Sequence, residues 1–152
     1  MSVAYQLLSG ARTVVLELPL FSGFTTAQSA IRERPFASTE HGDVFPFLCF
    51  SIQREVAGKI IRATESKVGM AYPIMVAYYH KRGADLGDQA VIGAVLDARE
   101  AIRHALWQPH VYGVPDQVDI DYDPDPPFDL TALDASLVVS LQLFTPLVVE
   151  VR

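Results

Sequence analysis

The fold class that this 152-residue sequence predicts is α+β: an antiparallel or mixed β-sheet with two α-helices packed on it, in a single domain spanning residues 1–152. Three observations predict it. The stretch from Ala71 to Gln108 opens as AYPIMVAYYHKR, a nearly continuous apolar and aromatic run too short to span a membrane. It turns through Gly83–Gly87 and continues as DQAVIGAVLDAREAIRHALWQ, where Val91, Ile92, Val95, Leu96, Ile102 and Leu106 recur at helix spacing. At the two ends of the chain, SVAYQLLSGARTVVLEL carries a second helical stripe and LDASLVVSLQLF alternates as a strand does.

Each element follows from its residues. In the first helix Val3, Leu7, Leu8, Ala11, Val14, Val15 and Leu18 trace one face, Ser2 can cap the start, and Pro19 closes the end. Gly10 weakens its middle by up to ~1 kcal/mol relative to alanine. After a Gly-Phe-Thr linker, TAQSAIRER is a weakly patterned strand ended by Pro35, and ASTEHGD is a polar loop, either a hairpin or a wider turn. VFPFLCFSIQREVA predicts a strand with Phe47, Cys49 and Ser51 on one face and Leu48, Phe50 and Ile52 on the other. Apolar residues on both faces imply that both are covered. Gly58 breaks this run, and KIIRATESKV predicts another strand from Ile61 to Lys67.

The buried strand and long helix come next, with Asp85 or Asp88 available to cap the helix and Gln108-Pro109 to stop it. HVYGVPDQVDIDYDPDPPFDL combines a short strand with an acidic proline-rich loop at about residues 116–129. In the last strand Leu137, Val139, Leu141 and Leu143 point one way, and Ser136, Val138, Ser140 and Gln142 the other. Pro146 interrupts it, and LVVEVR continues past a bulge or kink.

Composition limits the function classes. Half the residues are hydrophobic and 20% are charged, which disfavours intrinsic disorder, and the net charge of −6 disfavours a general nucleic-acid binder. Residues 1–112 carry 11 Lys+Arg against 10 Asp+Glu, whereas residues 113–152 carry 1 against 8. A balance of +1 thus faces one of −7, a split that suits self-assembly better than gripping nucleic acid. The single cysteine, Cys49, sits in an apolar run with no cation beside it, so it reads as a buried inert thiol. With no signal-peptide pattern and no run of membrane-spanning length, a soluble protein made in a cytoplasm is expected.

The strongest local pattern is Asp119, Asp121, Asp123 and Asp125, each two residues apart. On a strand these carboxylates share a face with neighbours ~7 Å apart. Like charges in a row need solvent, a cation or a basic partner. A helix-loop-helix calcium site is excluded, because Pro124 stands where glycine is required and no glutamate occupies the twelfth position. None of His41, His80, His104 and His110 has metal-ligand spacing, and His104 follows Glu100 as an ordinary helix-surface pair. No nucleophile elbow, phosphate loop or dinucleotide fingerprint is present, so neither catalysis nor a cofactor or metal is expected.

Arg32, Arg34, Arg54, Arg62, Lys67, Lys81 and Arg82 fall at strand ends in the first half. They read either as solvated edge protection or as one half of a subunit interface that meets the aspartate row of a neighbour.

This order of elements resembles the tail-terminator (tail-completion) proteins of long-tailed bacteriophages, small ring-forming proteins that cap the tail tube beneath the head. The segments that carry the resemblance are LLSGARTVVLELPLF, IRERPF, FPFLCFSIQRE, YPIMVAYYHK leading into DAREAIRHAL, and SLVVSLQLF. It covers most of the chain but lies in element order and texture, not in a diagnostic motif. The PDPPFDL insert and the LVVEVR tail have no counterpart in the family pattern. The resemblance implies a virion protein at the head–tail junction, a ring of identical subunits (a hexamer), with tail-tube and connector or neck proteins as partners. DNA would only pass through the lumen, past an acidic lining to which it does not stick. A neck or connector-completion protein of the same region, and a small enzyme or ligand-binding protein using the acidic loop, are the alternatives.

Overall fold

The computed structural model describes residues 2–52, 56–57, 67–82, 88–123, 128–129 and 136–151. Helix α1, Val3–Leu16, starts where the Ser2 hydroxyl accepts the Tyr5 amide at 3.2 Å, and ends before a 3-10 turn at Pro19–Phe21. Leu7, Leu8, Ala11 and Val15 form its buried stripe, with Val3, Val14 and Leu18 packed at the margin. Helix α2 runs from Asp88 to Leu106; of the two residues considered as its cap, Asp85 lies outside the described residues and Asp88 is the first helical one. Val91, Val95, Ile102 and Leu106 face inward as the spacing predicts, with Ala98 beside them, none more than 7% exposed, whereas Ile92 is only half-buried and Leu96 is 48% exposed, off the inward stripe.

The strands are β1 (Ser29–Ile31), β2 (Phe47–Ile52), β3 (Val56–Ala57), β4 (Lys67–Ala71), β5 (Ile74–Lys81), β6 (Gln117–Asp123), β7 (Phe128–Asp129) and β8 (Leu137–Val151). The strand expected from Ile61 lies outside the described residues until Lys67, where β4 begins. The sheet order is β1-β2-β5-β8-β4-β3, with β6 and β7 also paired to β8. All pairs are antiparallel except β1–β2, so the sheet is mixed and the fold is α+β.

β4 and β5 form one interrupted line along β8. Ala71 pairs with Leu147 and Ile74 with Phe144, so the register is the same on both sides of Pro73. At the break, the Tyr72 amide donates to the Pro146 carbonyl at 3.0 Å. Pro146 therefore sits where the neighbouring strand is itself interrupted, and its missing N–H leaves the rest of the ladder intact. This explains how a 15-residue β8 passes through a proline that reads as an interruption in the sequence.

One face of the sheet packs against both helices through Leu48, Phe50, Ile74, Val76, Tyr78, Val138, Phe144 and Val148. The opposite face holds a smaller cluster: Ala37, Phe47, Cys49, Ala77, Tyr79, Leu137 and Val139. Both faces of β2 are thus covered, and burial pushes the pKa of the Cys49 thiol up. The loop between β1 and β2 is not a hairpin. Parallel neighbours need a crossover, and residues 32–46 supply it across the second face, where Ala37 is buried and Phe45 packs beside it. Near α2 the helix side is partly polar: the Arg99 guanidinium donates to the Ser140 hydroxyl at 2.9 Å and to the Leu141 carbonyl. The Gln142 amide donates to the Arg99 carbonyl and to the Tyr122 hydroxyl, both at 3.0 Å. Leu106 ends α2 with its carbonyl held by the Tyr112 hydroxyl at 2.8 Å, and the segment through Tyr112 then crosses α1 at Gly10.

Candidate functional site

The aspartate row stands on β6. The strand begins after a left-handed Gly113 (φ 74°), is tied down by the Val149 amide donating to the Asp116 carbonyl at 2.9 Å, and slips register between Gln117 and Asp119. That bulge leaves Val118 exposed and sets the alternation that follows: Ile120 buried and Tyr122 half-buried on the helix side, Asp119, Asp121 and Asp123 exposed on the other. Across the ladder these three carboxylates sit beside Leu147, Thr145 and Leu143 on the same face. Their sharing of one face is as the spacing predicts, whereas Asp125 lies outside the described residues.

The backbone at this edge is also defined. Pro146, opposite Ile120, turns its carbonyl toward Tyr72 on the other side of β8, so Ile120 is not in a hydrogen-bonded pair with it. The Ile120 amide therefore points away from the sheet, and there it donates to Oδ1 of Asp119 at 2.8 Å. Tyr122, two residues on, presents its amide and carbonyl in the same outward direction. Its ring stacks on Trp107 at 5.2 Å between centroids, and Trp107 itself is 53% exposed.

The basic residues do not form one surface. Arg32 lies just after β1 on the second face and is occupied within its own chain. Its guanidinium makes a two-pronged contact with Asp43 at 2.6 and 3.1 Å, donates to the Phe36 carbonyl, and sits 4.7 Å from the Phe47 ring centroid. Burial alone would raise the pKa of Asp43, but the Arg32 hydrogen bonds, the Ser38 amide and the Arg32 charge outweigh it and lower the value. The same pairing raises that of Arg32. Arg34 is exposed beside Glu33. Lys81 is exposed at the end of β5, the Arg82 amide donates to the Ser136 carbonyl at 2.7 Å, and Lys67 is exposed at the start of β4. Arg54 and Arg62 lie outside the described residues.

The crossover loop also shapes a cleft of about 670 Å³ lined by Arg32, Glu33, Arg34, Pro35, Phe36 and His41, with the Phe36 and His41 rings edge to face at 5.6 Å. Sequence reasoning missed it, because the Arg32–Asp43 pair that shapes it joins residues eleven apart across an irregular loop with no periodicity. Among the described residues no group of three or more His, Cys, Asp and Glu side chains could hold a metal ion, and no described helix is long and apolar enough to cross a membrane. No protein-family model matches the chain, and no curated protein matches it.

Proposed function

We propose that this chain is a structural virion protein that forms a homo-oligomeric ring, a hexamer by resemblance, capping the tail tube at the head–tail junction of a long-tailed phage. The observation that carries the reading is the exposed aspartate row at one edge of the sheet. It adds to the element order that resembles the tail terminators and to the charge split along the chain. A row of exposed carboxylates repels a passing polyanion, so a lumen position lets DNA through without adhesion. The lumen version is preferred to an ion-paired subunit contact, because Arg32 is already neutralised by Asp43 and Arg34 is flanked by Glu33. In this reading the protein works by assembly with tail-tube and connector or neck proteins, and not by catalysis.

Sedimentation and electron microscopy of the purified chain, alone and with tail-tube protein, test the reading. Closed rings of one stoichiometry are expected. A chain that stays monomeric and binds neither tube nor connector protein overturns it. Changing Asp119, Asp121 and Asp123 together to asparagine separates the versions. Intact rings with impaired DNA passage support the lumen, and loss of rings supports the interface. Normal rings with normal infectivity reject both.

A further inference from the structure

The outer edge of β6 combines three features. Its outward amide at Ile120 is held by the carboxylate of the preceding residue, Asp119. Two of the exposed large hydrophobic side chains flank it, Val118 at the bulge and Trp107 stacked on Tyr122. At β1, Arg12 of α1 donates to the Ser29 hydroxyl at 2.9 Å and to the Ser29 carbonyl at 3.2 Å, so that backbone acceptor is taken within the chain. A strand edge with outward backbone groups and apolar neighbours is a template for another strand. A second copy presents the same β6 edge with the same apolar neighbours, and an antiparallel pairing of the two is the isologous way to join them.

We propose that Asp119 guards this edge: its carboxylate holds the Ile120 amide and places a charge where the second copy would dock, so that β6 does not pair with β6 between molecules. In an antiparallel self-pairing centred on Ile120, Asp119 of each copy comes opposite Asp121 of the other across a single strand spacing, and like charges so placed oppose the pairing. Carboxylate oxygen is also a better acceptor for the amide than water-exposed carbonyl from a competing strand, because an ionised acceptor strengthens the bond. Remove the carboxylate and both barriers fall, while Val118 and Trp107 remain to favour contact. This inference stands apart from the ring reading, since it concerns association through β6 in addition to whatever assembly the native chain forms.

The test is sedimentation of full-length protein at neutral pH for the native chain, Asp119→Ala, Asp119→Asn and, as an exposed-carboxylate control on α2, Asp97→Asn. Asp119→Ala should at least double the native mass, Asp97→Asn should leave it unchanged, and adding Val118→Lys to Asp119→Ala should restore it by returning charge to the edge. Asp119→Asn keeps an acceptor oxygen, so a mass increase there assigns the guard to charge, and an increase only in the alanine variant assigns it to the hydrogen bond. A native mass for both Asp119 variants, with circular dichroism unchanged, overturns the proposal. Amide exchange in the native chain gives an independent reading that needs no variant: Ile120 should be protected relative to Tyr122, and exchange at Ile120 as fast as in an unbonded amide also overturns it. A native chain that sediments as a monomer counts against the ring reading alone, because the rise in mass of the Asp119 variants is read relative to the native chain.

Discussion

Replacing Gly10 with alanine should destabilise the protein, although helix propensity alone argues the reverse. Gly10 sits mid-way along α1, where alanine is favoured over glycine by up to ~1 kcal/mol. A Cβ built there, however, meets the Tyr112 carbonyl oxygen at 1.8 Å and its carbon at 2.6 Å, both backbone atoms. Real Cβ contacts do not fall below 3.0 Å, so α1 and the Tyr112 segment must separate by 1.2 Å, the difference between 3.0 and 1.8. Neither side yields easily: Leu7, Leu8 and Ala11 are packed beneath the helix, and Tyr112 is fully buried with its hydroxyl on the Leu106 carbonyl. Overpacking costs about 1–3 kcal/mol, and a clash with backbone belongs at the upper end of that range, so a net loss of about 2 kcal/mol is expected after the propensity gain. For a chain of this length that lowers Tm by roughly 4–8 °C. Urea unfolding followed by circular dichroism, with thermal melts beside it, measures the loss. An alanine variant as stable as the native chain, or more so, would refute the close crossing of Tyr112 over α1.

Other outcomes follow from the same packing and charges. Leu106→Ala removes a fully buried side chain at the end of α2 and should cost ~2–5 kcal/mol in urea unfolding; a loss below 1 kcal/mol would contradict the core position. The pKa of Asp43 is lowered in the folded chain, so its contribution to stability is present above the ordinary aspartate value of ~3.9 and is lost as pH falls through the folded value. Unfolding midpoints should therefore drop more between pH 5 and pH 2.5 in the native chain than in Asp43→Asn, and equal drops would show that the Arg32 pair is not formed. Chelation with EDTA should leave Tm unchanged, since a metal bound only by the folded state would have to stabilise it; a fall in Tm would reveal such a metal.

Much of the fold is legible in the sequence because its signals are local. The stripe Val91, Val95, Ile102, Leu106 marks the inward face of α2 whatever it packs against, and Ser2 and Pro19 bound α1 by properties of their own side chains. Alternation along β2 and β6 likewise sorts Phe47 and Cys49 from Leu48 and Phe50, and the aspartates from Ile120 and Tyr122. Period fixes which residues share a face, since backbone geometry imposes it.

What only the tertiary structure decided is which segments meet. The parallel pairing of β1 with β2 and the crossover of residues 32–46 depend on a contact between Arg32 and Asp43 that no pattern announces. Serine and glutamine on the helix side of β8 look like a solvent face until Arg99 reaches across from α2 to bond Ser140 and Gln142 returns to the Arg99 carbonyl. Gly10 reads as a weak point of a helix until Tyr112 is laid over it. The aspartate row, too, is a pattern in the sequence but an edge only in the sheet, where Pro146 turns toward Tyr72 and leaves the Ile120 amide facing outward. Each of these depends on atoms distant along the chain, brought together by burial of apolar surface that is insensitive to sequence separation.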